Sequence, residues 1–124
     1  MPEKETVLIV DDDHSIIDVG SEMLGIMGHK SFTASSGEEG IKIYRKEKNN
    51  IDIIILDMTM PGMSGGETFD AIKEINAEVK IILSSGFSND GQAKEILDRG
   101  CNGFIQKPFK IKTLVSKINQ VMNG

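Results

Sequence analysis

Five short apolar runs, each followed by an amphipathic stretch, limit what this chain can fold into more than any other feature. The runs are Val7-Leu8-Ile9-Val10, a weaker one at 30–34, then 51–56, 79–83 and Gly103-Phe104-Ile105. Their length and β-branched content predict strands rather than buried helices. The first, third and fourth are apolar almost throughout. Strands covered on both faces have that pattern, which implies a parallel sheet between two helical layers.

The intervening segments carry helical periodicity. Ile111, Leu114, Val115, Ile118, Val121 and Met122 step by three and four, making one stripe on the last helix. Ile16, Val19, Gly20, Met23, Leu24 and Met27 mark the first. Phe69, Ile72 and Ile75 mark the third, and Ala93, Ile96 and Leu97 the fourth. Ser36-Gly37-Glu38-Glu39 and Ser64-Gly65-Gly66-Glu67 match the capping box at helix starts. Gly28 and Gly100 stand where C-terminal caps belong. Five βα units predict a doubly wound α/β fold with right-handed crossovers. In such sheets the functional crevice lies at the carboxyl ends of the strands.

The 124 residues suit a single domain, read as 1–124 with a core at about 6–122. Nineteen acidic residues against fourteen basic ones, with no Lys/Arg stripe, argue against direct nucleic-acid binding. Anionic membrane surfaces are disfavoured on the same ground. No apolar run approaches the length of a membrane span, and the polar start lacks a secretory pattern. Cys101 is the only cysteine, so no internal disulfide can form. A cytoplasmic location is the expectation.

The predicted carboxyl edge gathers chemistry. The first strand runs into Asp11-Asp12-Asp13, the third into Asp57, the fourth into Ser84-Ser85 and the fifth into Lys107-Pro108. An Asp triplet alone is most simply a solvated turn that caps a helix. A further carboxylate at the end of a second strand changes the balance. Converging carboxylates raise each other's pKa, and a hard divalent cation such as Mg²⁺ relieves the repulsion. Lys107 supplies the opposite charge. Ser84 and Ser85 alternate in direction, so only one can face a given site. Gly86 leaves space beside the hydroxyl. Pro61 and Gly62 make 58–65 a turn. His14 and His29 lack metal-ligand company and are expected at the surface. Cys101 is expected as a small buried group, and Lys110, Lys112 and Lys117 as a solvated helix face.

These segments together resemble the response-regulator receiver domain of two-component signalling. The resemblance runs from Val7 to about Met122. It is carried by Val7-Leu8-Ile9-Val10-Asp11-Asp12-Asp13, by Leu56-Asp57-Met58-Thr59-Met60-Pro61-Gly62-Met63-Ser64-Gly65, by Ser85-Gly86 and by Lys107-Pro108-Phe109. It implies a flavodoxin-like five-stranded parallel sheet in the order 2-1-3-4-5 with five helices on both faces. It also implies that Asp57 is the phosphoacceptor, receiving its group from a histidine kinase or phosphotransfer domain. Asp11, Asp12, Asp57 and the backbone carbonyl of Thr59 would hold Mg²⁺ (Mn²⁺ as a substitute), with Asp12 the direct ligand and Asp11 acting mainly through water. Ser85 matches the switch hydroxyl, Phe104 the aromatic switch and Lys107 the phosphate-contacting lysine, with Pro108 cis after it. Ser85 replaces the commoner threonine, and Phe104 lacks a tyrosyl hydroxyl. Phe87, just beyond Ser85-Gly86, is expected to shield the phosphoryl group and slow its hydrolysis. The exposed part of the first helix around Ile17 is a docking candidate for a kinase or phosphotransfer helix.

The resemblance makes the chain a relay that catalyses only its own phosphorylation and dephosphorylation. The stretch from Ser84 to Phe109 also looks like receivers at the C-terminal end of hybrid histidine kinases. Other readings stay open at this point. A haloacid-dehalogenase-like phosphatase also uses an aspartate nucleophile after an apolar strand, but places a second acid where Thr59 stands. A pseudo-receiver binding module is disfavoured by the full set of acids, hydroxyl and lysine. A flavin protein is disfavoured by acids after the first strand.

Overall fold

The strands β1 (Val7–Val10), β2 (Ser31–Ala34), β3 (Ile53–Asp57), β4 (Lys80–Ser85) and β5 (Gly103–Gln106) pair in parallel, in the order β2-β1-β3-β4-β5. A computed structural model describes residues 5–58, 60–86 and 91–123. The predicted order and fold class are both found. Between the strands run α1 (His14–Ile26), α2 (Gly37–Glu47), α3 (Gly65–Ile75) and α4 (Gly91–Asp98), with α5 (Ile111–Asn123) last. Among the described residues, no helix is long and apolar enough to cross a membrane.

The sheet divides the interior into two cores, and strand alternation does the sorting. Leu8, Val10, Ile54, Leu56, Ile81 and Leu83 face α2, α3 and α4, meeting Tyr44, Phe69, Ile72 and Ile96. Val7, Ile9, Ile53, Ile55 and Ile82 face α1 and α5, meeting Ile17, Leu24, Leu114 and Ile118. The central strands are therefore apolar in both registers. Each fully buried Ile or Leu contributes about 1.5–3 kcal/mol of transfer free energy. Tyr44 is fully buried, and its hydroxyl accepts a bond from Asn76 Nδ2 at 3.0 Å, tying α2 to the end of α3.

Local signals held with some exceptions. Gly28 and Gly100 take positive φ after α1 and α4, at 89° and 102°. Ser64 and Glu67 form the reciprocal capping box of α3. At α2 only half of it forms: Ser36 Oγ accepts from Glu39 N–H, but Glu39 Oε1 accepts from Ser35 N–H at 2.6 Å. The ordered part of β3 begins at Ile53, because the 51–52 segment is held differently. Asp52 N–H bonds the Thr6 carbonyl, and the Asp52 carboxylate bonds Thr6 N–H.

Three expectations are corrected. Ile17 is buried, not an exposed docking residue; Gly20 lets α1 close on Ile9, and the Ile17–Gly20–Leu24 line turns inward. The neighbouring line is left outside, with Val19 49%, Ile26 75% and Met27 39% exposed. His29 is buried rather than superficial, with Nδ1 bonded to the Glu5 carbonyl at 2.9 Å. Lys117 is half-buried, its stem lying against Gly103, while Lys110 and Lys112 are exposed as expected.

Candidate functional site

Two central strands deliver the acids. Asp11 follows β1, and its N–H bonds the Ala34 carbonyl at 3.0 Å, so pairing with β2 continues one residue past the strand. Asp57 is the last residue of β3, opposite Ser84 of β4. Met58 N–H then donates to the Ser84 carbonyl at 2.9 Å. Because β1 and β3 are neighbours in register, Val10 opposite Leu56, the two carboxylates come together at one edge. Asp11 and Asp57 are 1% and 2% exposed, while Asp12 lies open to solvent. Ligand oxygens of Asp11, Asp12 and Asp57 all lie within 4.8 Å of one another.

Lys107 enters this cluster from the end of β5. Its Nζ donates to Asp11 Oδ2 at 3.0 Å and to Asp57 Oδ1 at 3.2 Å. Its backbone N–H donates to the Ser85 carbonyl at 2.7 Å, extending the β4–β5 ladder and aiming the side chain inward. The Lys107-Pro108 peptide is cis, as the resemblance implies.

The acids have separate environments. Asp13 is the N-cap of α1. Its carboxylate accepts from the Ser15 hydroxyl and N–H, which hold it below the usual carboxylate range. Asp11 Oδ1 accepts from Asp13 N–H at 2.9 Å, and its other oxygen meets Lys107. Burial pushes Asp57 up to about 6, and the Asp11 charge pushes the same way against partial relief from Lys107. Burial alone would lower the Lys107 ammonium, but the two carboxylates outweigh it and hold it above its ordinary value.

Three carboxylates around one ammonium leave an excess of negative charge supplied by hard oxygen donors. That donor set fits Mg²⁺ chemistry, and a divalent cation would offset both the burial of Asp57 and the charge of Asp11 that raise it.

The other predicted residues are more widely spread. Ser84 and Ser85 are both buried and adjacent in β4, and so project to opposite faces. Phe104 is half-buried opposite Leu83 and packs against the core under α2, α3 and α4. Gly86 is exposed, with open space where a side chain would stand. Pro61 is exposed, and Gly62 turns the loop with φ at 78°. Thr59 and Phe87 lie outside the described residues.

Gly65 had no assigned role in the sequence reading. Its N–H donates to the Met58 carbonyl at 3.1 Å. A Cβ there would stand 2.6 Å from Met58 Cα and 2.8 Å from the Asp57 carbonyl. Two signals were available: its place directly after the capping serine, and its place at the end of the motif that begins at Leu56.

Comparison with known proteins agrees with this geometry. The model of the response regulator receiver domain matches residues 7–119. Two-component response regulator 24 of Arabidopsis thaliana is 31% identical over 118 residues, covering 95% of this chain and 84% of that protein. Several other curated relatives are longer, and the chain spans between 12% and 50% of them. A response regulator receiver domain protein from Clostridium thermocellum is 31% identical, with a TM-score of 0.91 over 97% of this chain and 95% of that one. The CheX-CheY complex with BeF3 and Mg²⁺ from Borrelia burgdorferi is 30% identical, with a TM-score of 0.91 over 97% and 90%. Neither a phosphatase nor a pseudo-receiver is favoured by these matches. The chain belongs to the response regulator receiver domain family of two-component signalling.

Proposed function

We propose that Asp57 accepts a phosphoryl group in a Mg²⁺-dependent transfer, and that the modified residue changes the binding surface of the protein. The observation that carries this is the position of Asp57: buried, 3.2 Å from Lys107 Nζ and clustered with Asp11 and Asp12. The donor is a phosphohistidine on a histidine kinase or phosphotransfer domain. An Asp57 oxygen attacks phosphorus, and the O–P bond forms as the P–N bond breaks. The electron pair leaves on the donor imidazole.

Lys107 neutralises charge on the moving phosphoryl oxygens and holds the Asp57 carboxylate in place. Asp12, Asp57 and the Thr59 carbonyl would hold Mg²⁺ directly. Asp11 would act through water, since one of its oxygens already meets Asp13 N–H and the other Lys107. When bound, Mg²⁺ supplies further charge neutralisation at the phosphoryl oxygens. A structural relative is known with Mg²⁺ and BeF3, which supports the same ligand chemistry here. Ser85 would donate its hydroxyl to the new phosphoryl group, and Phe104 would repack with it. Gly86, Pro61 and Pro108 shape the loops around the site. The chain turns over no substrate pool and acts on its own carboxylate alone.

The test is acetyl phosphate with Mg²⁺. Wild type should incorporate phosphate at one acid-stable, base-labile position. Asp57→Asn should incorporate none while keeping its circular dichroism spectrum. Labelling that survives in Asp57→Asn, or that proceeds with the metal chelated, would refute the proposal.

A further inference from the structure

The first two turns of α2 pack behind the acidic site, against the residue before Asp11 and against the start of α3. Gly40 faces β1, where a Cβ would stand 2.9 Å from Val10 Cγ2, one residue before Asp11. Gly37 faces α3. A Cβ there would collide with Thr68 Oγ1 and stand 3.3 Å from Met63. Thr68 and Met63 flank Gly65, which rests on the Asp57 and Met58 backbone. A single helix end thus packs both on the side chain before Asp11 and, through the start of α3, on the segment that rests against the Asp57 and Met58 backbone.

Neither glycine is needed for backbone conformation, since only Gly28, Gly62 and Gly100 have positive φ among the described residues. Gly37 and Gly40 are both buried, and what they provide is proximity. The neighbours cannot easily give way. Thr68 is fully buried, and its hydroxyl donates to the Ser64 carbonyl at 2.8 Å, so it cannot swing aside without losing that partner. Ser64 is fixed in turn by its exchange with Glu67. Sliding α2 along α3 is opposed at the far end by the buried Tyr44–Asn76 bond.

We infer that the N-terminal turns of α2 brace the start of α3 on the Met58 backbone and so fix where Asp57 sits relative to Asp11 at the end of the β1–β3 ladder, with Gly37, Gly40 and Thr68 as positioning residues for metal binding. The inference rests on the Mg²⁺-dependent reading of the site. Widening the contact at Gly37 shifts the start of α3, which rests on the Met58 backbone at Gly65, and so moves Asp57 relative to Asp11. Simple helix packing, the competing account, affects stability alone.

The two accounts separate by measuring Mg²⁺ affinity, from amide shifts of Asp57 and Met58, beside the thermal midpoint. Gly37→Ala is expected to weaken Mg²⁺ about tenfold, as loss of a residue supporting metal ligands does. Gly37→Ala with Thr68→Ala removes the collision and should return to within about twofold of wild type. Tyr44→Phe should lower the midpoint and leave Mg²⁺ affinity unchanged. Should Gly37→Ala fail to fold, the double variant decides, and must both fold and bind as wild type. A Gly37→Ala protein that melts early but binds Mg²⁺ normally overturns the inference. So does a double variant that stays weak or unfolded. A wild type that takes up no Mg²⁺ overturns the functional reading, and this inference with it.

Discussion

Lys107 Nζ lies 3.0 Å from Asp11 Oδ2, joining residues 96 positions apart in the chain. The same nitrogen reaches Asp57, so one ammonium balances two buried carboxylates. Removing it leaves like charges facing each other in a low-dielectric setting. Lys107→Ala is expected to cost about 3 kcal/mol at neutral pH, as loss of one partner from a buried pair does. Chemical denaturation with and without saturating Mg²⁺ checks this. The deficit should shrink when the cation is present, and an equal deficit in both conditions would count against the electrostatic account.

Asp57 is raised from 3.8 to about 6 by burial and by the charge of Asp11. Between those values the folded state binds more protons than the unfolded state, so stability falls as pH rises through this window. The penalty is absent below pH about 4 and complete above pH about 6. Asp57→Asn removes the charge and keeps the shape. It should raise stability at pH 7.5 by on the order of 3 kcal/mol, with the gain gone at pH 4. Thermal melts at the two pH values, in chelator, provide the comparison; a gain independent of pH would show that ionisation is not its source.

Gly65→Ala should be among the more damaging single-methyl additions, because the obstructing atoms are backbone. A cost of about 1–3 kcal/mol is expected from overpacking. The phosphorylation rate should fall with it, since the displaced atoms belong to Asp57 and Met58. A variant with unaltered melting and labelling would show that the contact relaxes freely.

His29→Ala removes the side-chain partner of the Glu5 carbonyl and opens a small void beneath the start of β1. The expected loss is about 1–3 kcal/mol. Hydrogen exchange should show faster opening at the N-terminal edge of β1, with Asp57 labelling retained. Uniform exchange across the sheet would place the role of His29 elsewhere.

Most of the architecture was legible because burial on both faces leaves a plain mark. Val7–Val10 and the run ending in Asp57 are apolar in both alternating sets, which few other environments permit. Asp11, Asp12, Asp57 and Lys107 were legible because each directly ends or follows a strand. Contacts set by close approach were harder to see. Ile17 and Ile16 are equally apolar, and what turns Ile17 inward is the missing side chain at Gly20. His29 looked superficial because its partner is a backbone carbonyl, which carries no residue signature. Gly37 read as half of a capping motif, while its contact with Thr68 depends on how α2 and α3 pack.

The strand order also has a consequence for assembly. The acids sit on the central pair β1 and β3, whereas their cation arrives with the edge strand β5. A partly folded chain that has paired β1 with β3 but not added β5 confronts Asp11 with Asp57 unrelieved. Such species are penalised relative to the complete sheet, which sharpens the all-or-none character of the transition. A nascent chain that has not yet emerged beyond β4 lacks the cation altogether, so competence to carry a signal coincides with completion of the fold.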